Sequence, residues 1–245
     1  GSGPELVLLH GIGSTPWRHQ FAALADEYTV IAWHAPGYGR STDPDGDWTM
    51  AEYAGALKSF LDGLGIGRAY FLGQSWGGVL VQEFYRQSGD RVRSLILSDT
   101  TLGGSATRTD AMDMLAVRLR AAATMTPAEF ARARAPQLLA PDAPPEVTEE
   151  VETAIARMVR QNGFRIAAIA LAHADTRDVL PRLAVPTLVI VGEHDSITPP
   201  GVGTQWIGEI PDAQMVAIAD AGHLPCIEQP DRYNSLVRDF LHRHG

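Results

Sequence analysis

The chain holds a single cysteine, Cys226, in 245 residues, so no intrachain disulfide can form and no cysteine cluster can bind zinc. A core drawn from a chain this long stands without either device. Apolar runs of the length that crosses a bilayer are absent. A basic excess is absent too: 29 acids face 20 bases, giving −9, which disfavours a polyanionic partner such as nucleic acid. There is no internal repeat and no low-complexity tract. No secretory signal is legible, and with one cysteine the expected location is cytoplasmic. The histidines are scattered without metal-ligand spacing. Gly37-Tyr38-Gly39 lacks the full Gly-x-Gly-x-x-Gly pattern and reads as a turn. The expectation is therefore no cofactor and no metal.

What is present is alternation. Strand-like runs at Glu5–His10, Tyr28–Trp33, Ala69–Leu72, Val92–Ser98, Val185–Val191 and Gln214–Ala219 are interleaved with helix-like segments. Trp48–Leu64 puts Met50, Tyr53, Leu57, Leu61 and Leu64 on one helical face. Gly65 and Gly67 end it. Gly77–Gln87 and Gln229–Arg243 also read as helices. The pattern predicts a mostly parallel central sheet flanked by helices. Between 103 and 179 no such strand appears, and helical stretches are punctuated by Pro127, Pro136, Pro141, Pro144 and Pro145. That segment holds nine of the 20 bases and ten of the 29 acids, so it is nearly neutral in an acidic chain. It reads as a helical cap inserted between two parts of one core, residues 1–102 and 180–245.

The most informative stretch is Gly73-Gln74-Ser75-Trp76-Gly77, where an apolar strand turns into a helix. A serine on such a corner is held in a strained backbone conformation with its hydroxyl above the sheet edge. Three further segments follow strands in the same way: His10-Gly11-Ile12-Gly13, Gly192-Glu193-His194-Asp195 and Ala221-Gly222-His223. Ligands gather at such strand ends in open parallel sheets. The chain order Ser75, Asp195, His223 is that of a nucleophile, its orienting acid and its base. A serine hydroxyl needs a base to remove its proton, and histidine titrates near neutrality. Asp99, at the end of the strand after the elbow helix, competes with Asp195 as the acid. Chain order and loop position favour Asp195. Backbone N–H groups of Ile12 and Trp76 are the expected oxyanion donors.

With these motifs in place the chain resembles the α/β-hydrolase superfamily over essentially its whole length. Within it, the chain looks most like capped hydrolases of the 3-oxoadipate enol-lactonase and meta-cleavage-product hydrolase type. The matching stretches are Leu8-Leu9-His10-Gly11, Ala35-Pro36-Gly37-Tyr38-Gly39-Arg40-Ser41, Gly73–Gly78, Leu97–Thr101, Val185–Gly192 and Ala221-Gly222-His223. The resemblance implies that His10 holds the oxyanion loop through its side chain. It also exposes two departures. Gln74 precedes the nucleophile where many relatives have His or Asn, and His34 stands where Asp often precedes the Pro-Gly-x-Gly turn.

The expected activity is hydrolysis of a small, largely apolar ester or lactone, with a small molecule as the partner and neither nucleic acid nor membrane. Hydrolysis of a carbon–carbon bond in a diketone-like substrate uses the same triad and is the nearest rival. A ligand receptor that retains the triad is a rival of another class. Apolar cap residues such as Met112, Met114, Leu115, Met125, Phe130, Leu138, Leu139, Met158 and Phe164 are candidates for the pocket wall. Arg118, Arg157 and Arg165 are candidates for binding a substrate carboxylate.

Overall fold

Parallel pairing lines up the C-terminal ends of the strands, and that edge carries every motif singled out above. A computed structural model gives the structure and describes residues 1–13, 15–107 and 110–244. The first half contains β1 (Glu5–Leu9), α1 (Arg18–Leu24), β2 (Thr29–Trp33), α2 (Met50–Gly63), β3 (Ala69–Gln74), α3 (Trp76–Ser88) and β4 (Val92–Ser98). Five helices follow: α4 (Gly104–Thr107), α5 (Ala111–Thr124), α6 (Pro127–Leu138), α7 (Pro145–Met158) and α8 (Gln161–His173). The chain closes with β5 (Thr187–Gly192), α9 (Pro200–Trp206), β6 (Ala213–Ile218), α10 (Pro225–Glu228) and α11 (Pro230–Arg243).

The six strands form one sheet in the order β2-β1-β3-β4-β5-β6, and each neighbouring pair is parallel. Leu9 pairs with Gly73, Gln74 with Ser98, Ser98 with Ile190, and Gly192 with Ile218. All six residues of β3 are buried, as expected of a central parallel strand covered on both faces. No helix among the described residues is long and apolar enough to cross a membrane.

Helix α2 starts two residues later than its apolar periodicity suggests, because Thr49 caps it. The Thr49 hydroxyl accepts from the Glu52 N–H, and the Glu52 carboxylate accepts from the Thr49 N–H at 2.6 Å. At the other end Leu64 lies past the helix and is exposed, although the spacing places it on the buried face. Gly65, at φ +71°, turns the chain away.

Between β4 and β5 the described residues form helices without a named strand. Helix α5 packs on α8, and α6 on α7. These helices are tied to the sheet domain at defined points. The Arg160 guanidinium donates to the carbonyls of Gly37 and Ser41. Leu138, the last residue of α6, accepts the His223 N–H at 2.8 Å. Gly222 is needed there: a Cβ on it would sit 2.5 Å from the Leu139 carbonyl carbon.

Candidate active site

Ser75 sits between β3 and α3 at φ 53° and ψ −115°, a region L-residues rarely occupy. Three contacts hold it there. Its N–H donates to the Ser98 carbonyl at 2.8 Å, and its carbonyl accepts from the Gly78 N–H at 2.9 Å and from the Thr100 hydroxyl at 2.6 Å. The glycines of the motif leave room for this corner. A Cβ on Gly73 would lie 2.4 Å from the Gly77 carbonyl oxygen, and one on Gly77 2.3 Å from that of Leu9. The strain is thus over-determined by the surroundings.

His223 Nε2 lies 2.9 Å from Ser75 Oγ, and His223 Nδ1 lies 2.8 Å from Asp195 Oδ2. The histidine and the aspartate are both buried. Asp195 also accepts from the N–H groups of Ile197 (2.7 Å) and Thr198 (3.0 Å) and from the Thr198 hydroxyl. Burial works to raise its pKa, but the facing His223 and these donors outweigh burial and bring it down to about 2. The carboxylate is ionised at neutral pH and fixed in place.

Asp99 lies beside this pair without touching the imidazole. Its Oδ1 accepts from the Gly192 N–H at 2.8 Å and its Oδ2 from the Ser98 hydroxyl at 2.7 Å. Burial first, and then the charge of Asp195, push its carboxyl well above the usual carboxylate range. Oxygens of Asp99 and Asp195 and a nitrogen of His223 fall within 4.8 Å of one another, a spacing that a metal ion accepts. Each of these side chains is already engaged within the protein.

The loop after β1 is braced from several sides. The His10 ring makes a 2.8 Å contact from Nδ1 to the Gly11 carbonyl, and its Nε2 accepts from the Ala35 N–H at 3.2 Å. Those partners fix the proton on Nδ1. Burial lowers the His10 pKa to about 4, so the ring stays neutral. The Tyr38 hydroxyl donates to the Ile12 carbonyl at 2.9 Å. The Trp76 side chain is core, edge-on to Tyr53 at 4.9 Å and stacked on His10 at 5.9 Å. Gln74 bridges two loops. Its Oε1 accepts from the Thr15 hydroxyl at 3.0 Å, and its Nε2 donates to the His223 carbonyl at 2.8 Å. The departure noted at Gln74 is therefore a cross-brace under the site.

A pocket enclosing about 680 Å³, part of it open to solvent, lies over Ser75. Ile12, Trp76, Met114, Leu115 and Ile197 contribute to its wall, with Arg118 and Arg134. Met114 and Leu115 are thus the members of the apolar cap set found at this pocket. Met125, Phe130 and Phe164 line a different cleft, Met158 lines a groove beside Trp17 and His34, and Met112 is exposed. Of the arginines named from sequence, Arg118 reaches the pocket, Arg157 lies in the groove, and Arg165 pairs with Asp47 at 2.6 Å.

The alpha/beta hydrolase fold family matches residues 4–230. The chain belongs to that family. In this hydrolase the match spans the sheet, the inserted helices and the strand-end loops together. The chain is 28% identical over 243 residues to 3-oxoadipate enol-lactonase 2 of Acinetobacter baylyi, covering 98% of this chain and 89% of that one. It is also 28% identical over 270 residues to a 2-hydroxy-6-oxononadienedioate/2-hydroxy-6-oxononatrienedioate hydrolase of a Pseudomonas species, covering 99% and 90%. Among solved structures, a thermophilic esterase of Thermogutta terrifontis with malate bound superposes with a TM-score of 0.90 at 33% identity, covering 100% of this hydrolase and 92% of the esterase.

Several supporting residues have weak sequence signals. Thr198 follows Asp195 by three positions, the spacing of a side-chain turn in which Asp accepts backbone N–H groups. Glu228 accepts from the N–H groups of Ala140 (2.6 Å) and Gly222 (2.8 Å), joining the His223 loop to the end of α6. Thr100 and Arg134 carry no local pattern that marks them.

Proposed function

We propose that this hydrolase is a cofactor-independent serine enzyme that cleaves a small carboxylic ester or lactone. The observation that supports it most is the continuous path Ser75–His223–Asp195, with contacts of 2.9 and 2.8 Å, opening into a largely apolar pocket. Asp195 holds the proton of His223 on Nδ1, so Nε2 is the free base facing Ser75. Ser75 Oγ attacks the carbonyl carbon while His223 takes its proton. The N–H groups of Ile12 and Trp76, both on the pocket wall, serve as donors to the oxyanion. The tetrahedral intermediate collapses, His223 returns the proton to the departing alcohol oxygen, and Ser75 carries the acyl group. Water then adds to the acyl carbon, giving a proton to His223, and the acid leaves as Ser75 regains its hydrogen.

The wild-type enzyme should release p-nitrophenol from p-nitrophenyl butyrate over many turnovers. A fluorophosphonate should add once, at Ser75, as read by intact-protein mass spectrometry. An equal adduct on Ser75→Ala would remove Ser75 as the nucleophile.

Cleavage of a carbon–carbon bond is the second reading, supported by the similarity to the oxononadienedioate hydrolase at the same identity as to the enol-lactonase. It predicts turnover of a vinylogous 1,5-diketone acid with little turnover of simple esters.

A further inference from the structure

We propose that Thr198 is a positioning residue of the triad: its hydroxyl shares the Asp195 oxygen that faces His223 and moderates that carboxylate's pull on the imidazole. For its catalytic consequence this role depends on the reading of Ser75, His223 and Asp195 as nucleophile, base and acid.

Thr198 follows β5 on the loop that carries Asp195, and it lines the pocket over Ser75. Its N–H donates to Asp195 Oδ1 at 3.0 Å, and its hydroxyl bonds Asp195 Oδ2. The hydroxyl oxygen also lies 3.4 Å from His223 Nδ1. The neighbours fix the direction of the hydroxyl bond. An ionised carboxylate has no proton to give, and Nδ1 carries the hydrogen that it donates to Oδ2 at 2.8 Å. The hydroxyl proton therefore goes to Oδ2. Asp195 then has two donors on each oxygen: the N–H groups of Ile197 and Thr198 on Oδ1, the hydroxyl and the imidazole on Oδ2. They fill the roughly four lone-pair sites of a carboxylate.

The two oxygens differ in consequence. Donors on Oδ1 hold the turn of the loop. The hydroxyl on Oδ2 draws negative charge from the atom that must offset the imidazolium once His223 takes the Ser75 proton. Without that second donor, Oδ2 would hold the imidazolium more tightly, and His223 would keep its proton to higher pH. Thr198 thus leaves Nε2 free to accept from Ser75 at a lower pH than the bare pair would. Other charged groups act on the same pair: Asp99 at the end of β4, Glu228 on α10 and Arg134 on α6. Cys226 and Tyr233 adjoin Asp99 and are neutral, because burial raises both. All of them are retained in a variant at 198, so a comparison of variants isolates the hydroxyl.

Thr198→Val keeps the backbone donor and nearly the same volume but lacks the hydroxyl, which Thr198→Ser restores. In Thr198→Val the acid limb of kcat/KM for p-nitrophenyl butyrate should move up by about half to one pH unit, a fraction of what a hydrogen bond to a charged group is worth. Thr198→Ser should return the limb to its wild-type position. Circular dichroism identifies the folded variants, and Thr198→Ala is read in place of a Thr198→Val that does not fold. A limb that stays or moves down without the hydroxyl, or a Thr198→Ser limb that stays with Thr198→Val, would overturn this role. A change in KM alone would leave Thr198 a wall residue and nothing more. The same quantity is read without turnover by NMR titration of the His223 ring in Ser75→Ala, with and without Thr198→Val. The midpoint should rise by the same amount. Equal midpoints would overturn the role of Thr198 whatever the fate of Ser75. A raised midpoint would uphold it even if Ser75→Ala still hydrolysed the ester, which separates failure of Thr198 from failure of the nucleophile.

Discussion

Asp195 and Asp99 stand side by side at the ends of adjacent strands, but only Asp195 reaches the imidazole, at 2.8 Å from His223 Nδ1. The two carboxyls are driven in opposite directions: Asp195 is lowered to about 2, Asp99 raised. Asp195→Asn should therefore keep the fold and lower kcat by up to about 10⁴, because the amide favours the wrong tautomer of His223. Asp99→Asn should cost far less. An amide oxygen still accepts from the Gly192 N–H, and an uncharged group suits that burial. Steady-state kinetics on a p-nitrophenyl ester measures both, and a near-normal Asp195→Asn beside a crippled Asp99→Asn would exchange their roles.

Gln74 should be hard to replace. Gln74→Met fills similar space but strips partners from the Thr15 hydroxyl and the His223 carbonyl. Leaving two buried polar groups unsatisfied should cost about 2–4 kcal/mol, seen as a lower midpoint in urea. The kcat should fall as well, since both bonded loops border Ser75.

Acid should weaken the fold through His10. Its pKa is about 4 in the folded protein against 6.5 as the ordinary value, so the unfolded chain binds the proton first as pH falls. The penalty is absent above pH 6.5, grows between 6.5 and 4, and levels off below, reaching roughly 3 kcal/mol. His34 is also lowered by burial and adds in the same direction. Asp195 loses its contribution only below about pH 4, outside this window. Urea midpoints at pH 8 and pH 5 should therefore converge in His10→Gln relative to wild type. Equal pH dependence in the two proteins would remove His10 as the cause.

Dialysis against EDTA should leave ester hydrolysis unchanged. Asp99, Asp195 and His223 have the spacing of a metal site, but the proposed chemistry uses Asp195 and His223 as a hydrogen-bonded pair. Lost activity restored by a divalent metal would contradict this.

The sheet was legible because its strands are apolar on both faces and are punctuated by glycine-rich turns. Ser75, Asp195 and His223 could be picked out because each follows a strand, and parallel pairing brings strand ends to one edge. Boundaries were set by chemistry finer than periodicity, as Thr49 and Glu52 show at the start of α2. Helix α1 was given no bounds from sequence, although His19 reads as helical: it has seven residues and buries only Gln20 and Leu24, too few positions to establish a period. The bracing by Thr100, Gln74 and Glu228 joins residues up to 149 positions apart, and no local pattern encodes such pairings.

The bond from the His223 N–H to the last carbonyl of α6 also has a mechanical consequence. With Glu228 clasping both Ala140 and Gly222, the inserted helices and the histidine loop share one clamp. A swing of α6 away from the sheet would pull on the loop that carries His223, the proposed base. Wide opening at that end would therefore break the alignment of His223 with Ser75 on which the proposed chemistry depends.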